Sequence, residues 1–289
     1  MDRSNDRIVR IDDMLGANWV EFGTSGGGIN QFNTPEGVGV DVNGAIFISD
    51  SFSRRIVRVD DMIGSNWTEF GTSGAGINQF NVPVGVSLDS GGQVYVPDNG
   101  NGRIVRIDDM VGTNWTEHGT MGAGVNQFDS PEGITVDASG RIYVADQNNH
   151  RIVRMDDMSG TNWVSFGTLG GGVNQFNGPT EIALDAAGRI YISDSGNIRI
   201  VRIDDMVGTN WVDFGTIGTG VNQFGGVGEV TVTSSGQIYI PDQGNDRIVR
   251  IDDMTGTNWT EFGTTGAGVN QFNAPGRVFV HTFQTAAGF

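Results

Sequence analysis

The stretch Arg7–Phe32, RIVRIDDMLGANWVEFGTSGGGINQF, returns from Arg55, Arg103, Arg151, Arg199 and Arg247 without insertion or deletion, 48 residues apart each time. A period between 20 and 50 residues marks a repeat architecture. Each unit is too small to bury its apolar face alone and must stack on its neighbours. The repeat also overrides the length prior. A chain of 289 residues could form two domains, but six like units form one, spanning residues 1–289.

The unit from Thr34 to Gln79 shows what is repeated. A short strand is expected at Gly37 to Asp41, followed by the hairpin signal Asn43-Gly44. A second strand contains Ile46, Phe47 and Ile48. A third, Arg55 to Asp60, is rich in β-branched residues, and a fourth runs from Trp67 to Gly71. The 46 glycines are spread evenly through the units, so they mark turns rather than a low-complexity tail. Helical periodicity is absent. Runs such as Val94-Tyr95-Val96 and Ile142-Tyr143-Val144 are apolar on both faces of a strand. Sheets arranged radially, each packed between two others, satisfy that pattern, so the chain is expected to be an all-β propeller. Six copies predict six blades.

The chain starts inside a blade. Arg7 to Asp12 reads as a third strand and Trp19 to Gly23 as a fourth. Their inner strand is expected from the other end, at Arg277 to Thr282, with Phe283 to Phe289 as the second strand. The terminal strands then close the ring within one blade and leave no free sheet edge. The five central units run without interruption from Asn33 to Phe272.

The succession N-x-P-x-G-V, D-x-x-G, I-Y-V-x-D, N-x-R-I and F-G-x-x-G-x-G-x-N-Q-F-N resembles the NHL repeat, and Asn149-His150-Arg151-Ile152 matches its core. The likeness covers essentially the whole chain and implies a six-bladed propeller. The insert DDMxGxNW lengthens each unit. Some relatives of that fold are lactonases or lyases, with a Ca or Zn ion held by Asn, Asp, Glu or His side chains from several inner strands. This chain departs from both ligand sets. Its three histidines, His118, His150 and His281, are scattered, and its inner strands carry no Asn.

Composition removes other chemistries. The chain has no Cys, which excludes disulfides and thiolate catalysis. It has no Lys, which excludes a side-chain Schiff base. All 17 basic residues are Arg, which suits fixed, planar, hydrogen-bonded ion pairs. A net charge of −17 repels a phosphate backbone, so no nucleic-acid partner is expected. No apolar run is long enough to cross a membrane, and the opening MDRSNDR lacks a signal core. A soluble monomer of unknown location is the expectation.

Several polar motifs recur in every unit. The pairs from Asp12-Asp13 to Asp252-Asp253 read as a turn cap beside an Arg partner rather than as cation sites. Asp50, Asp98, Asp146, Asp194 and Asp242 read as members of an Asp–Asn–Arg network within each blade. One Trp per blade, from Trp19 to Trp259, covers a neighbouring sheet; as a lectin such a ring would instead stack sugars. His118 stands in a column otherwise filled by Phe22, Phe70, Phe166, Phe214 and Phe262.

The informative positions are those where repetition fails. Gly37, Gly85 and Gly133 give way to Glu181, Glu229 and Arg277, and the preceding positions read Glu36, Val84, Glu132, Thr180, Gly228 and Gly276. These begin the inner strands, so Glu181, Glu229, Arg277, Glu36 and Glu132 are the candidate ligand-binding residues, crowded at the mouth of the central channel. Two carboxylates beside an Arg suit a cation, a basic ligand or a polar substrate; repeat drift with a plain ion pair is the bland alternative. No catalytic residue, metal ligand or cofactor is assigned, although the channel has room for a divalent cation. The reading is a non-catalytic scaffold, recently duplicated or engineered, that binds a protein or small ligand. A metal-dependent lactonase- or lyase-like hydrolase acting at the channel mouth is the first alternative, and a multivalent lectin the second.

Overall fold

The structure is a computed structural model that describes residues 1–280. Five four-stranded antiparallel sheets follow one another along the chain. The first comprises Pro35–Val40, Ile46–Asp50, Arg55–Val59 and Thr68–Phe70, paired in sequence order. The other four repeat this meander, with second strands Val94–Asp98, Ile142–Asp146, Ile190–Asp194 and Ile238–Asp242. In the second and fifth blades the inner strand shortens to Ser87–Leu88 and Thr231–Val232.

The apolar second strands are buried because each sheet packs between two others. One core cluster joins Phe47, Ile56 and Phe70 of the first blade to Val94, Val96 and Ile107 of the second. Another joins Ile200 and Phe214 of the fourth to Ile238 and Ile240 of the fifth. Phe32, Phe80, Phe128, Phe176 and Phe224, in five of the six links between sectors, are fully buried, and Phe272 in the sixth is buried too. Their packing explains one glycine column. At Gly71 the backbone is left-handed (φ +111°), and a Cβ there would lie 2.5 Å from the Phe80 ring.

The blade count differs from the six expected: five complete blades are present. The closing sector holds a two-stranded sheet, Ile8–Arg10 with Val20–Phe22. Its inner segment makes isolated bridges at Pro275 and Arg277 instead of a ladder. The physical reason is visible in the sequence. Strands three and four occur six times, but the apolar I-Y-I second strand occurs only five times. The anticipated second strand, Phe283 to Phe289, lies outside the described residues.

The two ends nonetheless meet. Gly276 N–H donates to the Met1 carbonyl (3.2 Å) and Ser4 N–H to the Asn273 carbonyl (3.1 Å). Core clusters continue through this sector on both sides. Met1, Ile8 and Phe22 pack with Ile46 and Val57 of the first blade, and Val9, Ile11 and Trp19 pack with Phe262 and Phe272.

Each blade is tied to the preceding one by a buried arginine. Arg55 Nε donates to Asp50 (2.9 Å), and its other nitrogens reach the carbonyls of Gly27 (2.9 Å) and Gln31 (2.9 Å) in the link before. Asp50 also accepts the N–H of Asn33 (2.6 Å). Arg103, Arg151, Arg199 and Arg247 repeat this clamp on Asp98, Asp146, Asp194 and Asp242. It is the blade network expected from the motif, and it has a sixth member that the sequence reading missed. Asp2 accepts from Arg7 Nε (2.7 Å), Asn5 (2.9 Å) and the Asn273 N–H (2.8 Å).

The tryptophans bridge sectors. Trp67 lies 5.6 Å from the Phe32 ring, and the Arg55 guanidinium lies 5.4 Å from its ring centroid. The indole is therefore engaged by a ring and a guanidinium in the folded protein. The aspartate pairs divide as the motif implied. Asp13 accepts the N–H groups of Leu15 (2.9 Å) and Ala17 (3.0 Å), while Asp60 pairs with Arg58 at 2.7 Å.

Candidate functional site

The inner strands start at one end of the channel, and the turns after the second strands surround that opening. Together they enclose a cavity of about 300 Å³. Glu36, Glu132 and Glu229 form its acidic wall, while Gln147, Gln243 and Arg3 reach in from the turns. In the first, third and fourth blades the pairing is bulged just after the proline that opens the inner strand. Pro35 pairs with Asp50, but Gly37 already pairs with Ser49.

The five residues singled out in the sequence divide into two layers. In the buried layer, Arg277 lies between two carboxylates, 3.0 Å from Glu229 and 3.3 Å from Glu181. Glu181 is 1% exposed, and neither of its oxygens has a hydrogen bond among the described residues. The Glu229 N–H donates to the Gly276 carbonyl (2.8 Å), which locks the two neighbouring strand starts together. Burial raises the pKa of both glutamates, and the Arg277 charge opposes this only in part. Glu229 is raised well above the carboxylate range, with Glu181 adding to the effect.

In the outer layer, Glu36 pairs with Arg3 and accepts a hydrogen bond from the Ser51 hydroxyl (3.0 Å). Burial still raises its pKa. Glu132 has no ion-pair partner among the described residues. Burial, then the negative charge of Glu36, pushes it up to about 7. Four carboxylates thus share two guanidinium groups at this end of the channel.

The sequence reading missed the residues that follow the clamp aspartates: Arg3, Ser51, Asn99, Gln147, Ser195 and Gln243. They take four identities across the six sectors, and that variation inside a fixed motif was the available signal. Ser195 donates to the Val227 carbonyl (2.8 Å) and lies 2.6 Å from the Thr180 hydroxyl.

The histidines do not converge among the described residues. His118 is buried between Phe128 and Trp163. His150 is half-buried, and its Nδ1 accepts the Gly178 N–H (3.0 Å). His281 lies outside the described residues. No three His, Cys, Asp or Glu side chains among the described residues are placed to hold a metal ion. The Arg277 guanidinium stands between the two carboxylates that a channel cation would need. Among the described residues, the ligand set of a metal-dependent lyase or lactonase is not assembled at this mouth.

A family model for the NHL repeat matches residues 80–107 and 128–155. The chain carries NHL repeats and folds as a β-propeller. No curated protein matches it by sequence. The chain is similar in fold to virginiamycin B lyase from Staphylococcus aureus, at 20% identity and a TM-score of 0.57, over 81% of this chain and 75% of that one. A chain of a nidogen/laminin complex matches at 18% identity and a TM-score of 0.66, over 88% of each chain. A gluconolactonase from Xanthomonas campestris, XC5397, matches at 15% identity and a TM-score of 0.60, over 85% of this chain and 78% of that one. Identities this low speak to architecture alone. No helix among the described residues of the NHL propeller is long and apolar enough to cross a membrane.

Proposed function

We propose that this NHL propeller is a non-catalytic binding module whose ligand site is the acidic mouth of its channel. One observation carries this reading: the departures from repetition converge there. Clamps, tryptophans and Asp-Asp turns recur around the ring, and a symmetric array offers no single pocket. The mouth differs in each sector and encloses about 300 Å³, at the small end of ligand cavities.

A thermal-shift screen of small molecules against the parent and a Glu132→Gln/Glu229→Gln variant tests this. A ligand that stabilises the parent and not the variant supports the mouth as the site. Ligands that stabilise both equally place binding elsewhere. The lectin reading is weaker, because each Trp lies against a Phe ring of the preceding link and close to the clamp Arg. The hydrolase reading draws on fold likeness to a lyase and a gluconolactonase. It predicts metal-dependent turnover of a lactone that Glu229→Gln abolishes.

A further inference from the structure

The cavity already contains a cation of its own. Arg3 extends from a three-residue turn at Arg3–Asn5 and lines the mouth, where it pairs with Glu36. Its side chain is 42% exposed, and Glu36 is its only ion-pair partner among the described residues. Arg277, by contrast, is held between two carboxylates at 11% exposure. The two guanidinium groups are thus fixed to very different degrees.

Glu132 shares the cavity wall and faces Glu36, Arg3, Glu181 and Gln147, yet no cation among the described residues forms an ion pair with it. The trio beneath holds its own arginine between two carboxyl groups, so Arg277 is not available to pair with Glu132. A positive group entering the mouth would meet Glu132 directly and Glu36 once Arg3 swings out. Neutral hydrogen-bonding groups from Gln147, Gln243 and Thr180 complete the wall. That combination suits an organic cation with donor hydrogens. The described donors do not form a divalent-metal cage.

Resting on the binding-module reading, we propose that the mouth receives a single ammonium or guanidinium group on a small organic molecule or a peptide side chain. Arg3 is its built-in competitor. Glu132 supplies the primary anionic contact, and Glu36 becomes a second contact when Arg3 leaves. Removing Arg3 therefore opens the site, and neutralising Glu132 closes it to cations.

The test uses n-butylguanidinium as probe and the isosteric neutral n-butylurea as control, read by calorimetry and by amide chemical shifts of the full chain. Arg3→Ala is expected to tighten n-butylguanidinium binding by about tenfold, and Glu132→Gln to weaken it by about tenfold. Arg3→Gln repeats the first arm with most of the side-chain length retained. Equal affinity in the parent and both Arg3 variants overturns the proposal. So does n-butylurea binding at the mouth as tightly as the cation, although the mouth would then remain a ligand site. A fragment screen that moves no mouth resonance removes both readings together.

Discussion

Asp2 bridges Pro275 in the antiparallel register in which Pro35 pairs with Asp50. The first residues of the chain thereby complete the arginine clamp of a sector whose inner segment comes from the other end. Closure rests on the same buried Asp–Arg pair that joins every other blade to its neighbour.

Replacing Asp2 should therefore hurt as much as replacing a clamp aspartate in mid-chain. Asp2→Ala leaves Arg7 buried without its carboxylate, a loss expected to cost about 3 kcal/mol, as in Asp98→Ala. Denaturant unfolding of both variants checks this. An Asp2→Ala protein with unchanged stability would show that the ends are not clamped.

His118 is a misfit in a phenylalanine column. Its Nε2 is buried with no hydrogen-bond partner among the described residues, and burial lowers its pKa. The unfolded chain then binds a proton more readily than the folded one, so stability falls as pH drops below the ordinary histidine value of about 6.5. His118→Phe should stabilise the protein by about 1 kcal/mol at neutral pH and flatten that acid slope. A thermal melt at pH 5 and pH 8 reads both effects.

Glu132 works in the opposite direction. Its folded pKa of about 7 lies above that of an unfolded glutamate, so the folded state holds the extra proton. The stability it contributes is complete below the unfolded value and is lost as pH rises through about 7. Glu132→Gln should remove that decline and leave the variant more stable than the parent at pH 8, by about 2 kcal/mol after allowance for water at the cavity wall. Parallel melting curves for parent and variant across pH 5–8 would contradict this.

The buried trio predicts asymmetric mutational costs. Arg277→Leu leaves Glu181 and Glu229 facing each other without a cation and should cost about 3–5 kcal/mol. Glu229→Gln removes the surplus carboxylate while keeping its shape, so its cost at neutral pH should stay below about 1 kcal/mol. Comparable losses from the two substitutions would mean that the glutamates do not share a single counter-charge.

Much of this was legible in the sequence, for physical reasons. The strands could be placed because Ile-Tyr-Ile runs and Asn-Gly turns report local geometry. Glu181, Glu229 and Arg277 stood out because they break a glycine column. The two-layer arrangement was not legible, since it depends on how neighbouring strand starts face one another across the channel. Arg3, Gln147 and Gln243 resemble ordinary turn residues until ring geometry brings them together. Asp2 was hidden because the apolar strand that announces its counterparts is missing before it. The same absence explains why six copies of strands three and four gave five complete blades.

The central claim is that the unrepeated channel mouth, and not the repeated surface, is where this propeller meets its ligand. Amide chemical-shift mapping during titration with n-butylguanidinium tests it most directly. The account predicts shifts confined to the strand starts around Glu36, Glu132, Glu181, Glu229 and Arg277 and to the turn at Arg3. Shifts recurring in every sector, at the Trp67 or Asp61 positions and their repeats, would contradict it.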